Sequence, residues 1–185
     1  MRYPPEHKAV ARQKLISAGG ALAKKAGFNN TGIDALAAAA QMTTGAFYSQ
    51  FASKSELLTA IVEHELTQTT AAFAAKDELG LHQALAWYLS PRHVQHPEKG
   101  CLLPSLTAEI ARADEATRLR FEQLLEPLLE TLQNANHNKE QAWALLAQAV
   151  GGVMLARAVL SPNKQLEILQ AVTKASVELL KSTPS

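Results

Sequence analysis

Thr43, Thr44, Gly45, Tyr48, Ser49, Gln50 and Lys54 crowd into one short stretch of the chain. They offer hydroxyls, a phenol, an amide and an ammonium group, while Gly45 removes side-chain bulk and so permits close approach. Such groups suit phosphate oxygens and base edges. Thr31, a little upstream, adds another hydroxyl. The sequence holds no glycine-rich phosphate loop, no Gly-x-Ser-x-Gly, no His-Glu-x-x-His and no paired-acid constellation. The reading is a binding protein, with no enzyme activity and no cofactor.

Cys101 is the sole cysteine, which excludes a disulfide within the chain and fits a reducing compartment. It stands in Lys99-Gly100-Cys101-Leu102-Leu103, at the start of a predicted helix. There the helix end and Lys99 would lower its pKa and make the thiol nucleophilic. The competing reading is an inert, packed thiol. His93, His96 and Cys101 lack a fourth ligand, so no metal site is expected.

The elements that must position these residues read as helices almost throughout. Alanine and leucine dominate, β-branched runs are absent, and no segment alternates for long. The periodicity gives an all-α chain of about nine helices. Pro4 and Pro5 sit where a helix start tolerates them. The first helix runs from His7 to Ala26 and is closed by Gly27, with Lys24 and Lys25 favouring its negative end. Gly19 and Gly20 inside it cost about 1 kcal/mol each against alanine, which implies close packing. Thr31 caps a short helix, Ile33 to Ala40, and Gln41-Met42 forms a turn. Thr43 then caps a third helix, Thr44 to Phe51. Ser53-Lys54-Ser55-Glu56 is a capping box that opens a long helix to about Ala75. Asp77 to Leu89, Leu103 to Ala113, Glu115 to Ala135 (bent at Pro127), Glu140 to Leu160 and Lys164 to Lys181 follow. Pro91 to Gly100 reads as a loop and Asn134 to Asn138 as a polar turn.

No stretch approaches the ~18 apolar residues of a membrane span, and MRYPPEHKAVARQK has no apolar leader core. The expectation is a soluble, cytoplasmic protein with no membrane partner. Residues 1–64 hold seven Lys/Arg against four Asp/Glu, a net +3, and the remainder carries −2. A basic head can meet a polyanion while the rest stays clear of it. Two short helices joined by a turn and braced on both sides form a helix-turn-helix, whose second helix fits the major groove of double-stranded DNA.

The stretch AGFNNTGIDALAAAAQMTTGAFYSQFASKSELLTAIV resembles the DNA-binding half of TetR/AcrR-family transcriptional regulators. The resemblance rests on Gly27-Phe28, Thr31, Leu36-Ala37, Thr43-Thr44-Gly45, Phe47-Tyr48, Phe51, Ser53-Lys54 and Leu57-Leu58. It implies that Thr31, Tyr48 and Lys54 meet DNA phosphates, that Thr43, Thr44 and Gly45 lie against the groove, and that Phe28, Leu36, Phe47, Phe51 and Leu58 are core. Gln50 stands where the family usually has histidine, and Met42 replaces part of its usual Gly-Val turn. Residues 1–52 would form the DNA-binding domain, braced by the start of the fourth helix (53–66), and 67–185 a ligand-binding and dimerisation domain.

In that larger part, AQAVGGVMLARAVLSP resembles the penultimate helix of the same family, which pairs with its twin. Val150, Gly151, Met154 and Leu155, with Ile168, Val172 and Leu179 of the last helix, are the expected homodimer face. Gly151-Gly152 would let backbones approach closely, and the apolar helix needs cover on several sides. By the same resemblance the body holds a ligand pocket, with Trp87, Tyr88, Cys101, Leu102, Leu106, Glu109, Phe121, Leu125 and Trp143 as candidate lining residues for a small apolar or amphipathic inducer. The expected function is a dimeric repressor on an inverted-repeat operator, released by a small molecule or by modification of Cys101. A helical interaction scaffold and a cysteine-dependent enzyme are the alternatives, and both predict no DNA binding.

Overall fold

The computed structural model describes residues 5–74, 78–136 and 138–181. Over these the chain is all-α: α1 (Pro5–Ala26), α2 (Ile33–Ala39), α3 (Thr44–Tyr48), α4 (Lys54–Ala74), α5 (Glu78–Tyr88), α6 (Pro91–Gln95), a 3-10 turn (Pro97–Lys99), α7 (Leu103–Ile110), α8 (Glu115–Asn136), α9 (Lys139–Ala158) and α10 (Pro162–Lys181). Pro4, the expected helix end at Ala75 and the expected helix start at Asp77 lie outside the described residues.

Local chemistry explains most boundaries. Gly27 closes α1 at φ +84°, a backbone conformation that costs glycine nothing. The Thr43 hydroxyl accepts the Ala46 N–H at 3.2 Å and so caps α3. At the start of α4, Ser53 Oγ accepts the Glu56 N–H at 3.1 Å. Glu56 Oε2 reaches back past the serine to the Ala52 N–H, at 2.7 Å, a capping box one residue longer than expected.

Several expectations need correction. The segment Pro91 to Gly100 is not all loop, because Ser90 caps α6 by accepting the His93 N–H at 3.3 Å, and Pro91 suits the first turn. That adds a tenth α-helix among the described residues. Helix α3 ends at Tyr48, not Phe51, and α8 continues to Asn136 through the expected polar turn. Helix α9 stops at Ala158, short of Leu160, where Val159 turns extended; α10 begins at Pro162 because proline fits a first helical position. Thr31 does not cap α2, whose N-cap is Gly32. Its hydroxyl donates instead to the Gly27 carbonyl at 2.7 Å and locks the α1–α2 loop.

Leu15, Leu36, Phe47, Phe51, Leu57 and Ile61 are fully buried and form the core of the head. Each such side chain contributes about 1.5–3 kcal/mol relative to exposure. Gly19 and Gly20 do mark close packing of α1: a Cβ at Gly19 would lie 3.4 Å from Leu57, and one at Gly20 would lie 3.2 Å from Glu65. Helix α4 packs along α8 and links head to body, while α10 packs along α9. The buried apolar side chains form one continuous cluster from Leu15 to Leu169.

Candidate nucleic-acid interface

Helix α3 is a short platform held by its own side chains. Thr44 Oγ1 donates to Asp34 Oδ1 at 2.6 Å, which ties α3 to α2. Ser49 Oγ donates to the Ala46 carbonyl at 2.7 Å, and Gln50 Nε2 donates to Ser49 Oγ at 3.0 Å. Phe47 is buried and meets Tyr48 edge-on at 5.4 Å, while the Tyr48 ring projects outward, 55% exposed. Hydrophobic burial thus fixes one aromatic so that its neighbour can be presented. A Cβ at Gly45 would meet nothing nearer than Thr43 Oγ1 at 3.9 Å. No internal packing demands glycine there, and the position is exposed.

Two cations brace the platform. Arg12 of α1 donates to the Gln50 carbonyl at 2.6 Å, lies 4.0 Å over the Phe51 ring and pairs with Glu56 at 3.4 Å. Lys54 donates to the Asn29 carbonyl at 3.3 Å, with its ammonium 4.7 Å over the Phe28 ring. Thr43, Gly45, Tyr48 and Ser49 are exposed, and Thr44, Gln50 and Lys54 partly so. Thr31 is buried. Lys24 is also buried, its ammonium paired with Glu65 at 2.8 Å, so one of the seven basic residues counted in the head is spent internally.

Head and body are joined by polar struts that the sequence did not reveal. Lys24 donates to both Glu65 oxygens and, at 2.9 Å, to the Gly100 carbonyl. Glu109 of α7, expected in a ligand pocket, instead accepts the Phe28 N–H at 3.1 Å and the Asn29 N–H at 2.8 Å. Lys54 holds the carbonyl of the same Asn29, so α7 and the start of α4 grip one turn from two sides.

A cavity of about 500 Å³ opens beside these struts, lined among others by Lys24, Glu65, Phe73, Trp87, Tyr88 and Cys101. Only Trp87, Tyr88 and Cys101 of the expected pocket residues line it; Leu102 and Leu106 are fully buried in the core, Phe121 and Leu125 are half-buried elsewhere, and Trp143 is exposed on α9. Gln68, Gln83 and Glu98 make the walls more polar than expected. Cys101 does not have the lowered pKa read from the sequence. Burial pushes the thiol up, outweighing the Leu103 N–H that it accepts at 3.4 Å and the charge of Lys24.

His93 is the hub of this wall. Its Nδ1 meets the Tyr88 carbonyl at 2.7 Å, and its Nε2 accepts the Cys101 N–H at 3.2 Å, an arrangement that requires the neutral Nδ1–H tautomer. Trp87 stacks on the ring at 5.1 Å and Tyr88 packs against it edge-on at 4.5 Å. A Cβ at Gly100 would lie 2.2 Å from the imidazole, so only glycine fits there. Burial lowers the His93 pKa. Both ring nitrogens are engaged, so His93 has none left for a metal, and the described residues contain no group of three or more His, Cys, Asp and Glu placed to hold one.

The expected dimer residues divide. Gly151, Met154 and Leu155 lie on an open face of α9, with a Cβ at Gly151 meeting nothing within 4 Å. Val150, Ile168, Val172 and Leu179 are half-buried. Val172 is spent inside the protomer, packed so closely on α9 that a Cβ at Gly152 would lie 3.1 Å from it. Arg157 of α9 donates to Ser105 Oγ and the His93 carbonyl, both at 2.9 Å, and ties the open helix to the cavity wall.

A short capped helix presenting a phenol and hydroxyls, closed over a core that α1, α2, α3 and α4 share and carried on a helical body, defines a helix-turn-helix protein. The family model described as "Bacterial regulatory proteins, tetR family" matches residues 15–61, so over the stretch from α1 into α4 the chain is similar to the regulators of that family. No curated protein matches it. Among solved structures, the reduced form of NemR from Escherichia coli is 21% identical, with a TM-score of 0.71 over 91% of this chain and 96% of that one. A TetR-family regulator from Agrobacterium tumefaciens is 16% identical, with a TM-score of 0.75 over 91% and 98%. FadR from Bacillus subtilis, in complex with stearoyl-CoA, is 16% identical, with a TM-score of 0.62 over 94% and 99%. These likenesses show the shared fold. Among the described residues no helix is long and apolar enough to cross a membrane.

Proposed function

We propose that the chain works as a homodimeric repressor that sets two copies of α3 in successive major-groove faces of an inverted-repeat operator. The observation that carries this reading is the outward presentation of Tyr48 beside buried Phe47, with Thr43, Gly45 and Ser49 open around it. Thr43, Thr44, Gly45, Ser49 and Gln50 read the groove, while Tyr48 and Lys54 hold phosphates. Thr31 is left out, because its hydroxyl is buried and already donated. One short helix covers too little duplex to bind tightly alone, and a two-fold pair supplies the second half-site. The exposed Met154 and Leu155 of α9, with Leu166 of α10, are the apolar surface that such a pair would cover.

Release follows from a small molecule in the cavity beside Lys24, which favours a head spacing that does not fit both half-sites. The stearoyl-CoA bound by the FadR relative supports an answer to small molecules in this fold. A buried thiol with a raised pKa is poor in thiolate, which supports binding over modification of Cys101 as the release route. The test is fluorescence anisotropy with a labelled duplex from upstream of the gene, at low and at physiological salt. Salt-sensitive binding to that duplex above a scrambled control is expected; equal binding to both would overturn operator recognition.

A further inference from the structure

The charges lining the cavity are largely engaged. Lys24 is held by Glu65 and the Gly100 carbonyl, and Glu98 faces His96 at 3.3 Å, leaving Lys99 exposed at the edge. An ionic ligand would enter without an unengaged, buried counter-charge to meet it, and desolvation would oppose its entry. Tyr88 differs. Its side chain is more than nine-tenths buried, and its phenol oxygen meets no oxygen or nitrogen partner, only the Cys101 sulfur. A buried hydroxyl held only by a thiol gains by donating to a stronger acceptor, such as a ligand's carbonyl oxygen. Burial raises the Tyr88 pKa well above the usual phenol range, so the group stays a donor. The Cys101 thiol lies beside it, and sulfur is a weak acceptor. The His93 ring and its bond to the Tyr88 carbonyl fix the phenol in place.

The rest of the wall sets the shape. Trp87 and Phe73 supply aromatic faces. Beside Tyr88 and Cys101, Leu81, Leu85, Leu128 and Leu145 line an apolar pocket of about 40 Å³, room for a small alkyl group. We propose that the cavity binds an uncharged molecule of the aryl-ketone class, whose carbonyl oxygen accepts the Tyr88 O–H, whose flat body lies against Trp87 and Phe73, and whose short alkyl end enters the leucine-lined pocket. The inference rests on the reading of the body as the ligand-responsive half of a repressor.

The test uses the full chain without DNA and the neutral aryl-ketone dye prodan, whose emission reports both polarity and hydrogen bonding. Saturable, blue-shifted binding is expected, displaced by methyl naphthyl ketone and not by naphthoate at tenfold higher concentration. Tyr88→Phe, which keeps the ring, should weaken prodan about fivefold, the scale of one lost hydrogen bond. Equal binding by Tyr88→Phe, equal competition by naphthoate, or no saturable binding would each overturn the proposal. If Tyr88→Phe fails to give a cooperative melt, the competition alone decides. Duplex binding by the same preparation is scored separately, so failure of the ligand class and failure of the DNA-binding reading stay distinct.

Discussion

Glu109 Oε2 accepts the backbone N–H of Asn29 at 2.8 Å, and its other oxygen takes the N–H of Phe28 at 3.1 Å. One carboxylate of the body thereby satisfies two amides of the head's first turn. Charge-assisted bonds of this kind are the stronger ones. Glu109→Ala should lower the urea-unfolding free energy by about 1–2 kcal/mol, and Glu109→Gln, which keeps a single acceptor oxygen, by less. Equal stability of wild type and Glu109→Ala would show that the strut contributes nothing.

The Lys24–Glu65 pair is nearly dry, with side chains 5% and 16% exposed. Removing one member of a buried pair strands the other, at about 3–5 kcal/mol, whereas replacing both with apolar groups is often neutral. Lys24→Met alone should therefore destabilise strongly, and Lys24→Met with Glu65→Leu should recover most of the loss. A double variant as unstable as the single one would mean that the Gly100 carbonyl, and not the carboxylate, is the partner that matters.

His93 gives the fold an acid sensitivity. Burial holds its folded-state pKa below the unfolded value of about 6.5. Its contribution is then complete above that value and is lost as pH falls from there toward the lower folded-state pKa. Denaturant midpoints should drop between about pH 7.5 and 5 by more in wild type than in His93→Gln, which cannot titrate in that range. The same drop in both proteins would assign the sensitivity to carboxylates.

Lys54→Ala should weaken duplex binding alike across sequences and make the salt slope shallower by about 0.9, the signature of one lost phosphate contact. Replacing Thr44 or Gln50 should instead change which sequences are preferred. An unchanged slope for Lys54→Ala would confine Lys54 to its place over Phe28 and Asn29.

What was legible in the sequence was local. The Thr43 cap, the Ser53–Glu56 box and the Gly27 stop each depend on residues a few positions apart, and each appears in the structure. The close packing at Gly19 and Gly20 was legible for the same reason, because a glycine inside a helix has few other causes. What was hidden joins residues far apart. Spacing marks Lys24 as an end-of-helix lysine, yet its partners are Glu65 and Gly100; Glu109 reads as a pocket acid, yet it binds the loop after α1. Spacing places a helix end and a lysine near Cys101 but does not show burial, which is what raises the thiol's pKa. The α2–α3 turn carries a related surprise. Gln41 adopts φ +58°, a left-handed conformation that glycine would take without strain, and its side chain accepts from Lys14 at 3.4 Å.

The central claim is that α3 enters a duplex groove as one of a two-fold pair. Selection of the purified chain against a library of randomised duplexes, followed by sequencing of the retained fraction, tests it most directly. The account predicts enrichment of two inverted half-sites whose centres lie one helical turn, about 10 base pairs, or a multiple of it apart. It also predicts that Tyr48→Ala greatly reduces the enrichment. A retained fraction no different from the starting library at low ionic strength would contradict it.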